Sequence, residues 1–382
     1  MKAWPKVALG ELLRRTDESA VVDPTAEYHE VTIKLWGKGV ISRGKVSGSD
    51  VVSARRVVRA NQLIMSKIDA RNGAIGLVPP ELDGAIVSSD FPSFEFRDPD
   101  QCDATFMGWL VRSTPFVELC KAASEGTTNR VRIKEDRFLD QQIALPPLPE
   151  QQALVARLDA LAKKTRQLEA HLDAVERDAE HLLALRFRDA IAGAPLRPMA
   201  EVAPPVRRPV EIDIETRYRE VGARSFGKGL FAKPDFDGAE ATWQKPVWIK
   251  AGDLVLSNIK AWEGAIAIAR DEHDGCIASH RYITCIPDPE QATAGFLVYY
   301  LLSDDGLGKV GLASPGTADR NRTLSLGNLA KIEVPTPPLA TQQSFDRLQA
   351  EIAALKAKHS AIREANAALL PATLERVFAG AS

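Results

Sequence analysis

Apolar residues recur along this chain in two distinct rhythms. Leu154, Leu158, Leu161, Thr165, Leu168, Leu172, Val175, Ala179 and Leu182 follow one another at alternating steps of four and three. Phe345, Leu348, Ile352, Leu355, His359, Ile362, Asn366, Leu369 and Thr373 repeat the pattern at alternating steps of three and four. Each series is a heptad seam, the narrow stripe of a long helix that needs a partner stripe to be stable in water. Pro149 suits a first helical position and Thr341 a cap. Gly193 with Pro195, and Gly380 after Phe378, mark the two ends. The stretch from 150 to 191 holds 42 residues, or roughly 60 Å of helix at ~1.5 Å per residue. His359 and Asn366 interrupt the second seam, either as local defects or as polar residues that fix register. Pro371 should kink or break the second helix, because it removes one backbone hydrogen bond.

Elsewhere the rhythm shortens. Val31, Ile33 and Leu35 alternate as in a strand. Apolar runs at 74–78, 84–87, 254–256 and 265–269 lie between glycines and turn residues, as short strands do. A helical stretch is expected at about 103–123, with a counterpart at about 293–303.

The second half of the chain repeats the first. Tyr28-His29-Glu30-Val31 returns as Tyr218-Arg219-Glu220-Val221, and Trp36-Gly37-Lys38-Gly39 as Phe226-Gly227-Lys228-Gly229. Leu63-Ile64-Met65-Ser66 returns as Leu254-Val255-Leu256-Ser257, and Gly84-Ala85-Ile86-Val87-Ser88 as Gly275-Cys276-Ile277-Ala278-Ser279. Pro146-Pro147-Leu148 with Gln151-Gln152 returns as Pro337-Pro338-Leu339 with Gln342-Gln343. Every match is offset by 190 or 191 residues, so a whole domain and its helical appendage are duplicated. The expected fold is α+β, with globular domains at 1–145 and 194–340 and helices at 146–193 and 341–382. The two helices are expected to pair as an antiparallel coiled coil within one molecule, which relates the copies by a pseudo-twofold.

Composition narrows the function classes. The chain has 382 residues, 45% hydrophobic and 26% charged, enough apolar content for two or three cored domains. No apolar run approaches the ~20 residues of a membrane helix, and the first residues hold no signal-peptide core, so a cytoplasmic location is expected. Charge is balanced locally as well as globally, with 20 basic and 20 acidic residues in 1–145 and 17 and 19 in 196–340. Any nucleic-acid contact must therefore use local patches or a partner. Cys102, Cys120, Cys276 and Cys285 form no CxxC pair, and the six histidines show no metal-ligand spacing, so no metal or cofactor is expected. The Gly-Lys pairs lack the context of a P-loop, no Asn-Pro-Pro-aromatic motif of an amino-methyltransferase occurs, and no Ser-His-Asp grouping has supporting context.

The Leu-Pro-Pro-Leu-Pro-Glu-Gln-Gln run at 145–152 leads into a heptad helix ending near Phe187. Its degenerate twin, Pro-Pro-Leu-Ala-Thr-Gln-Gln at 337–343, leads to Phe378. With Gly-Asp-Leu-Val-Leu-Ser-Asn at 252–258 and Leu-Ile-Met-Ser-Lys at 63–67, this layout resembles the DNA-specificity subunit of Type I restriction–modification systems. Thr341 departs from the pattern, standing where copy one has Glu150. The resemblance implies two target-recognition domains, each reading one half of a split site in double-stranded DNA, and spacer helices on which two methyltransferase subunits carrying S-adenosylmethionine dock. Restriction subunits could join them, and the chain itself would have no active site. Two other readings stay open: a coiled-coil scaffold with two protein-binding heads, and a specificity subunit of a related methylation-based phage-defence system without a restriction nuclease.

Phosphate and base contacts draw on Arg, Lys and Asn. The candidates in copy one are Lys38, Arg55, Arg56, Arg59, Lys67, Arg71, Asn72, Arg130 and Arg132. Those in copy two are Arg224, Lys228, Asn258, Lys260, Arg320, Asn321 and Arg322. The Gly-Lys-Gly turns at 37–39 and 227–229 would bring backbone amides to a phosphate. Gly-Thr followed by Arg-x-Arg at 126–132 and 316–322 ranks highest, since both copies carry it.

Overall fold

A computed structural model of the chain describes residues 4–126, 131–240, 245–316 and 322–379. Packing groups the residues into two units, 1–172 with 360–382, and 173–359. Each unit holds one head together with parts of both long helices, Leu148–Ile191 and Leu339–Phe378.

The head of the first unit is built on an antiparallel sheet whose strands lie in the order Leu13–Thr16, Ser93–Phe96, Leu63–Met65, Ile75–Leu77. A second sheet runs Val40–Ser47, Glu27–Ile33, Ile86–Val87, Arg56–Val57, with one parallel pairing between Glu30 and Ile86. Leu63–Met65 explains why its sequence is uniformly apolar. Leu63 and Met65 enter one core while Ile64, on the opposite face, enters another. A strand buried on both sides cannot alternate in polarity. Its twin behaves alike, with Leu254 and Leu256 in one core and Val255 in the other.

The second unit repeats the first sheet strand for strand, as Pro205–Val206, Tyr282–Cys285, Leu254–Ser257, Ile266–Ile268. The second sheet survives as the hairpin Val221–Ala223 with Leu230–Ala232, the pair Val247–Ile249 with Cys276–Ala278, and a parallel bridge from Glu220 to Ile277. The duplication read from sequence is thus a duplication of topology.

Several local expectations are corrected. Strand Glu27–Ile33 stops before Leu35, which is exposed. The single helix expected at 103–123 is two, Ala104–Leu110 and Thr114–Ala122, capped by Asp103 and Ser113. Ser113 supplies a cap and Pro115 lacks the N–H that a continuous helix would need. A second helix, Asp304–Leu312, likewise follows Ala294–Leu301 behind its own cap, Ser303. Thr341 is not a cap: the helix begins at Leu339, and Thr341 already lies in its first turn. Pro371 does not break that helix. It costs one hydrogen bond, and the turns beyond it are held by Leu374 and Phe378 in the first unit's core.

Both long helices run antiparallel to each other inside each unit. In the first, Asn366 reaches Thr165 and Glu169, and Phe378 packs edge-on against Phe106 at 5.7 Å. In the second, Lys356 meets Glu180, His359 meets Glu176, and Phe345 meets Phe187 at 5.4 Å. Phe187 also lies 5.3 Å from Phe296. The heptad positions stay buried or half-buried through Ala179 and His359, and beyond them the contact face shifts by one residue at several steps. Leu182, Ile362 and Leu369 are exposed, while Leu183 and Leu370 pack against the cores instead. An α-helix drifts by about 20° per heptad against a strict seven-residue repeat, so along a long pair the contact face can move to the next residue.

Candidate nucleic-acid interface

The Gly-Lys-Gly turns are built the same way in both heads. Trp36 and Phe226 each adopt a left-handed backbone, φ 60° and 63°, followed by Gly37 and Gly227 at 63° and 64°. Only glycine fits second. A Cβ on Gly37 would lie 2.9 Å from the Arg112 side chain, and one on Gly227 would lie 2.7 Å from Leu302. The turns are clamped from behind. Trp36 N donates to Asn72 O at 2.9 Å and Gly37 N to Gly73 O at 3.0 Å; Phe226 N donates to Glu263 O and Gly227 N to Gly264 O, both at 2.8 Å. The amides of Gly37 and Gly227, expected to face a phosphate, are therefore spent on the fold. The exposed chemistry at each turn is the aromatic ring and the neighbouring Lys38 or Lys228. The Lys228 ammonium lies 5.8 Å from the Phe226 ring centre. Arg71 and Asn72 belong to the clamping segment, and the Asn72 side chain donates to Asp69 Oδ1 at 3.4 Å.

The three-arginine row in copy one resolves into ion pairs. Arg55 meets Glu30, Arg56 meets Asp17 at 2.6 Å, and Arg59 meets Glu18. Glu18 is held below the usual carboxylate range by its bonds from Arg59. Arg56 lies on the strand Arg56–Val57 and Arg55 and Arg59 in the loops beside it, so these arginines tie that edge of the head to the segment after Leu13–Thr16 and to Glu30.

Lys67 and Arg132 come together with acids. Lys67 Nζ lies 2.8 Å from Glu135, Arg15 pairs with the same carboxylate at 2.7 Å, and Arg132 pairs with Asp90 at 2.9 Å. At the twin position in the second unit, Asn258 replaces Lys67, and Arg281 stands where Asp90 stands. The side-chain oxygen of Asn258 is buried with no hydrogen-bond partner among the described residues. Lys260 pairs with Glu263 at 2.6 Å and lies over the Trp262 ring. Arg322 also lies over that ring, 4.4 Å from the Trp262 centroid, and bonds the Gly311 carbonyl at 3.1 Å. Arg224 lies over Phe231.

Arg130, Arg320 and Asn321 lie outside the described residues. The second arginines of the paired Arg-x-Arg motif, Arg132 and Arg322, do not occupy equivalent positions. Ile133 N bonds Lys67 O while Leu324 N bonds Asn258 O, so backbone register sets Arg132 opposite Thr323 rather than Arg322. The two copies bring different residues to the same place.

Sequence reasoning missed Trp36, Phe226, Trp262, Arg15 and Arg281. A large ring directly before Gly-Lys-Gly in both copies was the available signal for the first two, since a core residue has no reason to sit in a polar turn. Beside these turns lie clefts of about 290 Å³ in the first unit and about 850 Å³ in the second, so the heads differ in shape as well as charge. Among the described residues no group of His, Cys, Asp and Glu is placed to hold a metal, and no helix is long and apolar enough to cross a membrane.

No protein-family model and no curated protein matches the chain. Solved structures do. One, reported under the structural basis of complex assembly and conformational transition of the type I R-M system, is 21% identical, with a TM-score of 0.67 over 99% of this chain and 98% of that one. Another is the crystal structure of the HsdS subunit from Thermoanaerobacter tengcongensis, also 21% identical, with a TM-score of 0.66 over 99% of this chain and 97% of its own. Two copies of one head topology, each leading into a long helix, thus give this chain the fold of an HsdS subunit over nearly its whole length.

Proposed function

We propose that this chain is the DNA-specificity component of a Type I restriction–modification assembly. The observation that carries the reading is the duplicated head topology joined to paired long helices, matched over 99% of the chain by an HsdS subunit. Each head reads one half of a split double-stranded site, and the helices set the distance between halves. Two methyltransferase subunits dock on the helical part and bring S-adenosylmethionine; in a restricting system, restriction subunits join them. The chain binds no cofactor of its own and catalyses nothing.

The two half-sites differ in sequence. In the first head Lys67 pairs with Glu135 and Arg132 with Asp90, whereas in the second Asn258 and Arg281 stand at the positions of Lys67 and Asp90. Base edges differ in donor and acceptor pattern, so such different side chains select different bases.

Co-expression with methyltransferase genes from the same genomic neighbourhood, followed by methylation-aware sequencing of host DNA, tests the reading. Methylation of a motif made of two unlike blocks and an unspecified gap is expected. Failure of any methyltransferase to co-purify, or methylation of a continuous motif, overturns it.

A further inference from the structure

Two exposed aromatic rings are presented in a way the fold does not need. Among the described residues, three non-glycine residues have left-handed backbones: Asn61, Trp36 and Phe226. Asparagine tolerates that region; a bulky aromatic residue there is strained. Trp36 and Phe226 occupy the same position in the two copies and are 69% and 76% exposed. Strain and exposure of apolar surface are both costs, and neither is offset by packing. The clamping bonds from Trp36 N to Asn72 O and from Phe226 N to Glu263 O hold each turn rigid. In the second head the Glu263 carboxylate behind the turn is occupied by Lys260 and by Ser225 Oγ at 3.0 Å, while Glu272 and Asp304 line the cleft beside it. What remains outward is a fixed ring face with a lysine two residues on. That combination matches a nucleic acid, whose bases offer flat π faces and whose phosphates offer negative charge beside them.

We infer that Trp36 and Phe226 are wedge residues that stack on, or insert between, base pairs of the half-site under each head, while Lys38 and Lys228 hold the adjoining phosphates. The inference rests on the DNA-specificity reading above and adds the atoms of contact.

The test uses the full complex with its methyltransferase subunits and a duplex carrying the motif found by methylation mapping, with 2-aminopurine placed in turn along each half-site. A scrambled duplex is the control. Trp36→Gly and Phe226→Gly remove the ring and relieve the backbone, so their melting temperatures should equal or exceed the parent's, which separates lost contact from lost folding. Each is expected to weaken binding about 10- to 100-fold, the range of a lost stacking contact, and to abolish the 2-aminopurine response in its own half-site only. Trp36→Phe should retain both. Unchanged affinity and an unchanged response in the glycine variants overturn the wedge while leaving DNA specificity intact. Loss of methyltransferase subunits from the complex would place the rings at a protein interface and also overturn it. If the parent complex does not distinguish the mapped duplex from the scrambled one, both readings fall together.

Discussion

Gln151 and Gln342 fill the same buried socket in the two units. The Gln151 side chain accepts from Asp103 N at 2.9 Å and donates to the carbonyls of Gln101 and Pro146 at 2.9 and 2.8 Å. Gln342 accepts from Thr293 N at 3.0 Å and donates to the carbonyls of Gln291 and Pro337, both at 2.9 Å. Each glutamine ties the start of a long helix to the cap of a head helix. Gln151→Ala leaves buried groups without partners, at about 1–3 kcal/mol per group, and Gln151→Glu sets a carboxylate against two carbonyls. Both variants should lower the melting temperature clearly, and Gln342→Ala should do so comparably. Calorimetry that shows no shift for either residue would refute the socket's structural role.

Asn366 sits in the seam and is satisfied across it. Its Nδ2 donates to Thr165 O at 3.1 Å and to Glu169 Oε1 at 2.6 Å, while Arg363 pairs with the same carboxylate at 2.8 Å. The Asn366 bond first, and Arg363 second, hold Glu169 below the usual carboxylate range. A folded pKa below the unfolded one adds stability above the ordinary carboxylate pKa, and that stability is lost as pH falls through the folded value. Asn366→Ala should move the Glu169 titration upward toward its ordinary range, read by carboxyl NMR, and should shrink the acid-side loss of stability. A titration that does not move would show that Arg363 alone sets it.

The four cysteines are buried and unpaired. Burial pushes Cys102, Cys120 and Cys285 up to about 12 and raises Cys276. The thiolate is the reactive form, so none should be alkylated by iodoacetamide at pH 8 in the native state, and all should be in denaturant. Mass spectrometry of the labelled protein checks this; rapid native labelling at Cys102 would contradict its burial.

Helix length should set the half-site spacing. Four residues inserted near Leu168, with four matching residues beside Arg363, lengthen the paired helices by ~6 Å. That is nearly two base pairs at ~3.4 Å each. Methylation mapping should find both half-sites unchanged and the gap longer by one or two base pairs. An unchanged gap would show that the helices are not the ruler.

Charge balance predicts dependence on partners. With 49 basic and 51 acidic residues the chain has no net positive charge, and Arg55, Arg56, Arg59, Lys67 and Arg132 are already engaged by acids, so the chain alone is poorly equipped to displace counterions from DNA. The isolated chain should bind a cognate duplex at least tenfold more weakly than the methyltransferase complex at moderate salt. Tight, specific binding by the isolated chain in fluorescence anisotropy would contradict this.

The duplication, the short apolar strands and the two long helices were legible in the primary structure because each leaves a periodic or local pattern in the chain. Uniform apolar runs, heptad steps and a fixed offset of 190 or 191 are local or periodic signals. The recognition surface was less legible. Arg59 pairs with Glu18 and Arg132 with Asp90 across 41 and 42 positions, so no local pattern could tell a spent arginine from an exposed one. The seam slip at Leu182 and Ile362 accumulates over several turns, beyond the reach of a heptad count. The strain at Trp36 and Phe226 exists only because distant backbone carbonyls hold those turns. Periodicity specifies elements one at a time; charge pairing, register and strain are settled only when elements remote in sequence meet.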